Sequence, residues 1–484
     1  MQVEGRYDDR FRLSQKLERT QSTGPLRVTI IGAGFSGTMA AVHLLRQDLP
    51  VRIELVDRRV PGRGLAYSTA YEEHLLNVPA IRMSAFGDDP GHFLDWLRSH
   101  GRPDADPHMF APRKLYGAYI QDTLETTAEA AGASSGIQHH FTYASKLDFD
   151  GVSVSVQLEN GRRLQADRVI LATGNPAPRS VAEQSPRYFS SPWAANALAH
   201  VPAEKDVLLI GAGLTAVDAL IALLSRGHTG RVHMVSRRGK LPRAHTSYRT
   251  LPVPVELPGQ PTARSLVRAV RQHAQKAQAQ GMDWRAVLDS IRPITNEVWQ
   301  KLLPRDQLRI LRHAKTWWDI HRHRMAPEIG VQVDDAVASK RLLVHSGRLK
   351  RIRETNSGLD AEISLRSGQI LTLAVDRVIN CTGPDADYRQ TENSFIRSLQ
   401  NSGFAEAGAI GKGLRTTEQG ELLAANGRPL EWLLALGPPR FGDLFETIAV
   451  PELRRQAEAL ANHLFSIGRE PVEVMPDLFI AAGI

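Results

Sequence analysis

Apolar residues along this chain fall into two rhythms. Short β-branched runs, LRVTII (residues 26–31), VRIELV (51–56), DVLLI (206–210) and RVHMV (231–235), have the continuous apolar character of parallel strands buried on both faces. After the first and third of these, the period changes to that of a helix, TMAAVHLLRQ in one case and TAVDALIALL in the other. A third, alternating rhythm marks 151–174, GVSVSVQLENGRRLQADRVILATG, and 358–383, GLDAEISLRSGQILTLAVDRVINCTG. Each reads as a hairpin, turning at Asn160-Gly161 or Ser367-Gly368, followed by a strand that closes on Thr-Gly.

The joins between strand and helix are glycine turns. Gly32-Ala33-Gly34-Phe35-Ser36-Gly37 is a GxGxxG, and Gly211-Ala212-Gly213-Leu214-Thr215-Ala216 is its GxGxxA variant. The first glycine allows the tight turn, the second lets a pyrophosphate approach the backbone, and the third small residue lets helix and strand pack closely. The phosphates would sit at the positive end of the helix. The strand after the first turn ends in Asp57, twenty positions beyond Gly37, where an acid accepts hydrogen bonds from ribose hydroxyls. The strand after the second ends in Ser236, Arg237 and Arg238. Arginines grip a 2′-phosphate that an acid would repel, so this site is expected to prefer NADPH.

Each alternating segment follows one glycine turn, which predicts an α/β fold of two nested, Rossmann-like dinucleotide-binding domains. The expected layout is a flexible segment at 1–25, a discontinuous first domain at 26–180 and 378–484, and a second domain at 190–377. A helical insertion is expected at about 260–328.

Bulk properties narrow the function. A length of 484 residues with 42% hydrophobic content suits two or three cores. Apolar runs are short and broken by charge, so no membrane span is expected, and the polar first 25 residues lack a secretion-signal core. A cytoplasmic protein is expected. The net charge of +8 is spread along the chain without a nucleic-acid module, so it points to anionic cofactors rather than nucleic acid. The single cysteine, Cys381, builds neither a disulfide nor a CxxC pair and reads as a small buried apolar side chain. No metal site is expected: His321 and His323 lie two apart, on different faces of a helix.

The glycine turns together with LATG (171–174) and NCTG (380–383) resemble the superfamily of two-dinucleotide-binding-domain flavoproteins over about residues 26 to 470. That resemblance implies FAD in the first turn and NADPH in the second, with Thr173, Gly174, Thr382 and Gly383 at the chain crossings between domains. The segment YEEHLLNVPAIRMSAFGDDP (71–90) is similar to a stretch of the flavin monooxygenases, in which NADPH reduces FAD and O₂ then oxidises a small-molecule substrate. By that similarity Asn77 is the catalytic residue, orienting the nicotinamide cofactor beside the flavin with a carboxamide that both donates and accepts. Met83, in the same stretch, is by that similarity a candidate cofactor contact. An Asx-type turn before Pro79 accounts for Asn77 without chemistry.

Closer still is a bacterial group of FAD/NAD(P)-binding proteins, resembled through HLLNVPAIRMS, APRKLYGAYI, SRRGKLPRAH, WWDIHRHRMAP and FETIAVPELRRQA. This is similar to class B flavin monooxygenases and N-hydroxylases, and it implies hydroxylation of an amine or amino acid. The region YFSSPWAANALAHVPAEKD (188–206) lacks the Phe-x-Gly-x-x-x-His of many monooxygenases, which speaks against Baeyer–Villiger chemistry. A disulfide reductase is excluded by the single cysteine. A reductase passing electrons to a quinone or protein, and a non-catalytic nucleotide sensor, remain as alternatives.

Further candidates are Arg63 in Pro61-Gly62-Arg63-Gly64 for the FAD pyrophosphate, with a plain surface loop as the alternative, and Arg113 for a flavin phosphate or a substrate carboxylate, with an ordinary solvated arginine as the alternative. Gly442 and Asp443 are candidates for the ribityl chain. His245 is read as structural or as a cofactor contact. Trp317, Trp318, His321 and Arg324 are read as pocket residues or as a packed aromatic core with a charged rim. The oligomeric state is open, a homo-oligomer included.

Overall fold

The computed structural model describes residues 24–467, apart from 48, 152, 182–184, 195 and 252–253. The expected flexible segment at 1–25 lies almost wholly outside them. Strands run in chain order as β1 (Leu26–Ile31), β2 (Val51–Val56), β3 (Gly136–His140), β4 (Ala144–Phe149), β5 (Val154–Leu158), β6 (Arg163–Ala166), β7 (Arg168–Leu171) and β8 (Tyr188–Phe189). They continue as β9 (Val207–Ile210), β10 (Val232–Ser236), β11 (Leu342–Thr355), β12 (Gly358–Leu365), β13 (Ile370–Val375), β14 (Arg377–Asn380), β15 (Glu421–Leu423) and β16 (Pro429–Ala435).

Two sheets organise the molecule. The first has the order β15-β16-β7-β1-β2-β3, parallel except at the β15–β16 edge. The second has the order β13-β12-β11-β10-β9-β14-β8. In both, the strand leading into the glycine turn is internal to the sheet; β9 is wholly apolar, and β1 is buried from Val28 to Ile31, as a strand covered on both faces must be. β4, β5 and β6 form a separate antiparallel sheet.

The chain leaves the first sheet, builds the second, and comes back: β16 pairs in parallel with β7, Ala435 opposite Leu171. The return begins later than residue 378. β14 lies in the second sheet between β9 and β8, because its apolar residues 378 and 379 complete that core. The two alternating segments form their hairpins with Gly161 and Gly368 at φ 84° and 92°. They differ in attachment. The 14-residue β11 pairs in parallel with β10 through Leu342–Ser346 and antiparallel with β12 beyond Gly347, so the second hairpin extends the large sheet.

Helices α1 (Phe35–Leu45), α2 (His92–Ser99), α3 (Arg113–Ala130) and α4 (Leu214–Ser225) follow in order. The region after β10 is helical, with α5 (Ala263–Ala279), α6 (Trp284–Ile291), α7 (Thr295–Gln300), α8 (Pro304–Arg309), α9 (Lys315–Arg322) and α10 (Pro327–Ala338). α11 (Ser394–Asn401) and α12 (Val450–Ile467) complete the chain. Every residue of α1 is buried, since it lies on the first sheet under α3 and α12. No described helix is long and apolar enough to cross a membrane.

Close packing at the two turns follows one rule with one exception. A Cβ on Gly32 or Gly211 would run into the carbonyl oxygen of Ala172 or Cys381, so β7 and β14 press against the turns from the next strand. A Cβ on Gly37 would overlap Gly32 O and lie 3.2 Å from Ile30 Cγ2. Ala216, in the corresponding place of the second turn, is accommodated and buried.

A strap, residues 71–113, ties the first unit to α4 of the second. Arg113 faces Asp218 of α4, with Nη1 2.8 Å from Oδ2 and Nη2 donating to Oδ1 at 3.2 Å. His74 donates from Nε2 to the Asp218 carbonyl at 3.0 Å and accepts at Nδ1 from Thr69 Oγ1 at 2.8 Å. Burial holds His74 below its ordinary pKa, which suits a neutral ring. Arg226 donates to Tyr71 Oη at 3.1 Å.

Gly37→Ala is expected to lower stability by about 3 kcal/mol or more through overpacking, whereas Ala216→Gly should cost only about 1 kcal/mol. Thermal denaturation of both variants separates the two values. Asp218→Ala leaves the Arg113 guanidinium, 15% exposed, without its counterion. It is expected to lose about 3 kcal/mol, with Arg113→Ala nearly non-additive to it in a double-mutant cycle by urea denaturation.

Candidate dinucleotide sites

The first site is built on the turn after β1. Gly34 caps α1 with extended backbone and no side-chain hydrogen bond, so the helix start presents N–H groups that no side chain satisfies. Phe35 and Ser36 open the helix and are buried. The loop at 61–64 folds directly over this turn. Gly62 N donates to Ala33 O at 3.0 Å and to Thr38 Oγ1 at 2.8 Å, and a Cβ on Gly34 would meet only Gly64 Cα, at 3.5 Å. Arg63 sits in that loop with a buried Nε that has no partner.

Asp57 is half-buried. Its Oδ2 accepts from Ala33 N and its Oδ1 from Arg59 N, both at 2.9 Å, so the carboxylate braces the turn while each oxygen keeps a second lone pair. Thr173 and Gly174 leave β7 half-buried beside the turn, with Gly174 at φ 68° and open space where a Cβ would stand.

Tyr67 and Gly437, both overlooked in the sequence, and Tyr116 of the APRKLYGAYI stretch pack around this turn. Tyr67 and Tyr116 meet edge to face at 4.8 Å, and Phe35 stacks on Tyr116 at 6.1 Å. Burial drives the Tyr116 hydroxyl well above its ordinary pKa, and its oxygen has no partner. Gly437 packs on Ser36, with the Ser36 hydroxyl 2.8 Å from where its Cβ would stand, and donates to Gln456 Oε1 at 3.2 Å. A Gly-Pro-Pro turn after an apolar strand was the available signal for Gly437.

Three sequence-based assignments are corrected. Arg113 is committed to Asp218 and to Leu75 O, at 3.0 Å, so its guanidinium serves the strap rather than a flavin phosphate. Met83 is 2% exposed within the first core, a packing residue. Asp443 turns Oδ2 onto Thr416 N at 2.6 Å and Thr416 Oγ1 at 3.2 Å, which closes its own loop and leaves Oδ1. Gly442 stands at φ 120°, with its carbonyl accepting from Trp299 Nε1 at 2.7 Å.

At the second site, Gly213 caps α4 without a side-chain hydrogen bond and is exposed, and a Cβ there would meet nothing within 4 Å. Leu214 and Thr215 form the half-buried start of α4. Ser236 Oγ accepts from Gly239 N at 3.1 Å and fixes the turn that follows β10. Arg237 is exposed, and its guanidinium pairs with no acid among the described residues. Arg238 reaches toward the helical segment, donating to His313 O at 3.1 Å with its guanidinium carbon 5.9 Å from the Trp317 ring. Thr382 donates to Asn380 Oδ1 from N at 3.1 Å and from Oγ1 at 2.7 Å, and Gly383 stands open at φ 80°. Cys381 is buried, and burial drives its thiol far above the ordinary range.

Asn77 lies where the strap meets the second unit. Its carbonyl accepts from His245 Nε2 at 3.0 Å, and the His245 ring packs against Phe110 at 5.1 Å. Burial, reinforced by the Arg324 charge, pushes His245 down to about 4, so a neutral imidazole makes this bond at neutral pH. The carboxamide of Asn77 is half-buried. Across 188–200, where the expected monooxygenase motif is missing, buried Arg377 donates to the carbonyls of Asn196, Ala197, Ala199 and His200 at 3.0–3.2 Å.

A family model described as FAD-NAD(P)-binding matches residues 29–176. No curated protein matches the sequence. Among solved structures, the fold is similar to the ornithine N-hydroxylase of Kutzneria sp. 744, at 14% identity and TM-score 0.63 over 92% of this chain and all of that one. It is similar to a cadaverine monooxygenase of Erwinia amylovora, at 12% identity and TM-score 0.64 over 94% and 97%. It is also similar to the bacillithiol disulfide reductase of Staphylococcus aureus, at 13% identity and TM-score 0.56 over 92% and 99%. The chain therefore carries an FAD-NAD(P)-binding domain within the fold shared by two-dinucleotide-binding-domain flavoproteins.

Proposed function

We propose that this protein is an FAD-dependent, NADPH-consuming monooxygenase that hydroxylates a nitrogen of a small molecule. The observation that carries it is the strap: it places Asn77 against His245 of the second unit while its far end is locked to α4 through Asp218. The backbone of Asn77 is thus fixed at the second unit, on a strap that begins after the first nucleotide turn. The reaction balances as substrate N–H, O₂, NADPH and a proton giving substrate N–OH, NADP⁺ and water. The likeness to ornithine and cadaverine hydroxylases supports the reaction class. The likeness to a disulfide reductase does not extend to chemistry, because one buried cysteine forms no redox pair.

FAD supplies hydride acceptance and oxygen activation when bound. The residues present fit it: the start of α1 and the Arg63 Nε would meet the charge of a pyrophosphate, and Asp57 would offer its remaining lone pairs to ribose hydroxyls. Gly213 and the start of α4 hold the NADPH pyrophosphate, and Arg237 and Arg238 hold its 2′-phosphate. Asn77 orients the nicotinamide amide through its own amide. His245, neutral and donating to the Asn77 carbonyl, fixes the backbone from which that side chain projects.

Replacing Arg237 and Arg238 together by Ala is expected to raise KM for NADPH about 100-fold, two charge-assisted bonds being lost, and to leave KM for NADH nearly unchanged. Steady-state kinetics with both cofactors test this, and an equal rise for both would remove the arginines from phosphate recognition. Asn77→Ala should leave anaerobic bleaching of the flavin by NADPH intact while the oxygen consumed appears as hydrogen peroxide. Full coupling in that variant would take Asn77 out of the mechanism. A wild-type protein that NADPH never bleaches would refute the enzyme reading altogether.

A further inference from the structure

A cavity of about 550 Å³ opens inside the helical segment, walled by Trp284, Trp299, Trp317, Trp318, Leu288 and Phe445. Its size falls within the range of about 300–1,000 Å³ typical of small-molecule sites. It is built against the returning chain. Phe445 is in its wall, and Asn296 Oδ1 accepts from Phe445 N at 2.9 Å and Glu446 N at 2.8 Å. Trp299 Nε1 holds the carbonyl of Gly442. The wall is therefore continuous with the segment that leads into α12, on which the first nucleotide turn also packs.

The charge of the cavity decides what it takes. No carboxylate lines it, and its one permanently charged lining residue is Arg271, exposed and unpaired among the described residues. Arg238 and Lys240 lie 5.9 and 6.0 Å from the ring of the wall residue Trp317. Acids beside the wall residues include Asp289, paired with Arg324, Asp319, paired with Lys315, and Glu446. Glu446 accepts from Trp318 Nε1 at 3.3 Å and faces Arg322 Nε at 3.6 Å, so its charge is already answered. Burial also pushes the Glu446 carboxyl up. An ammonium entering here would give up its hydration for positive neighbours, which an apolar cavity cannot compensate.

We propose that this cavity is the substrate pocket, and that it admits an apolar body the size of a fused ring, neutral or bearing one carboxylate that meets Arg271. It selects against diamines and diamino acids, so the nitrogen offered for oxidation is one that carries no charge in the pocket. The identification as a substrate pocket rests on the monooxygenase reading; the ligand chemistry rests on the cavity alone.

The test is calorimetric titration of the FAD-loaded protein, without NADPH, using 2-naphthylacetate, 2-naphthylmethanol and L-ornithine. Both naphthyl probes are expected to bind, with ornithine weaker by about tenfold or more, the equivalent of one uncompensated charge–charge contact. Val270→Trp, which fills the cavity, should weaken both naphthyl probes at least about tenfold. Leu288→Trp serves the same end if the first variant loses its flavin. Arg271→Gln should weaken only the carboxylate, by about fivefold to tenfold. Ornithine binding more tightly than the naphthyl probes, or unchanged naphthyl affinity in both Trp variants, would overturn the proposal. Naphthyl binding that persists in a protein unable to hydroxylate anything would support the pocket while sinking the monooxygenase reading.

Discussion

Asp218 is the constraint on which the arrangement depends. It stands on the second nucleotide helix, accepts the Arg113 guanidinium on its carboxylate and the His74 imidazole on its carbonyl, and so receives two side chains from one strap of the other unit. A charge this well buried persists because it is paired and hydrogen-bonded. Through it, the glycine turns at 32–37 and 211–216 keep a fixed separation, and transfer between two bound nucleotides needs that separation more than it needs a reactive side chain. The rest of the strap follows: between the anchored His74 and Arg113, the backbone of Asn77 meets His245.

The helical segment is attached by a different chemistry. Arg292 makes two bonds of 2.8 Å to Glu452 at the start of α12, and Arg324 pairs with Asp289, whose carboxylate also receives Tyr248. Burial alone would push Glu452 up, but the Arg292 bonds and charge outweigh it and leave the carboxyl below its ordinary value. These ties are themselves buried, and the tryptophans pack beside them. The aromatic walls line an opening instead of collapsing on each other.

What could be read in the sequence was what is encoded locally. Both glycine turns, the strand before each and the hairpin turns at Gly161 and Gly368 depend on residues within one element and its neighbour. Arg113 was misread because its partner lies 105 residues away and nothing near it in sequence announces an acid. Asp443 was offered to a cofactor, yet its carboxylate closes on Thr416, a loop contact with no periodic signature. Met83 carries no mark that distinguishes a cofactor contact from a core methionine. The tryptophans of 284–318 were visible, and the choice between packed core and pocket needed the packing itself.

The double pairing of β11 sets the two hairpins apart in cooperativity. Beyond Gly347 this strand is the base of the β12–β13 hairpin, and before it the same strand is the neighbour of β10. Opening that hairpin unzips backbone shared with the nucleotide-bearing sheet, so the two melt as one unit. The β4–β6 sheet has no such shared strand. Its apolar face instead shares a core with β1, β2 and β7, so it is coupled to the first nucleotide sheet through side chains rather than through shared backbone.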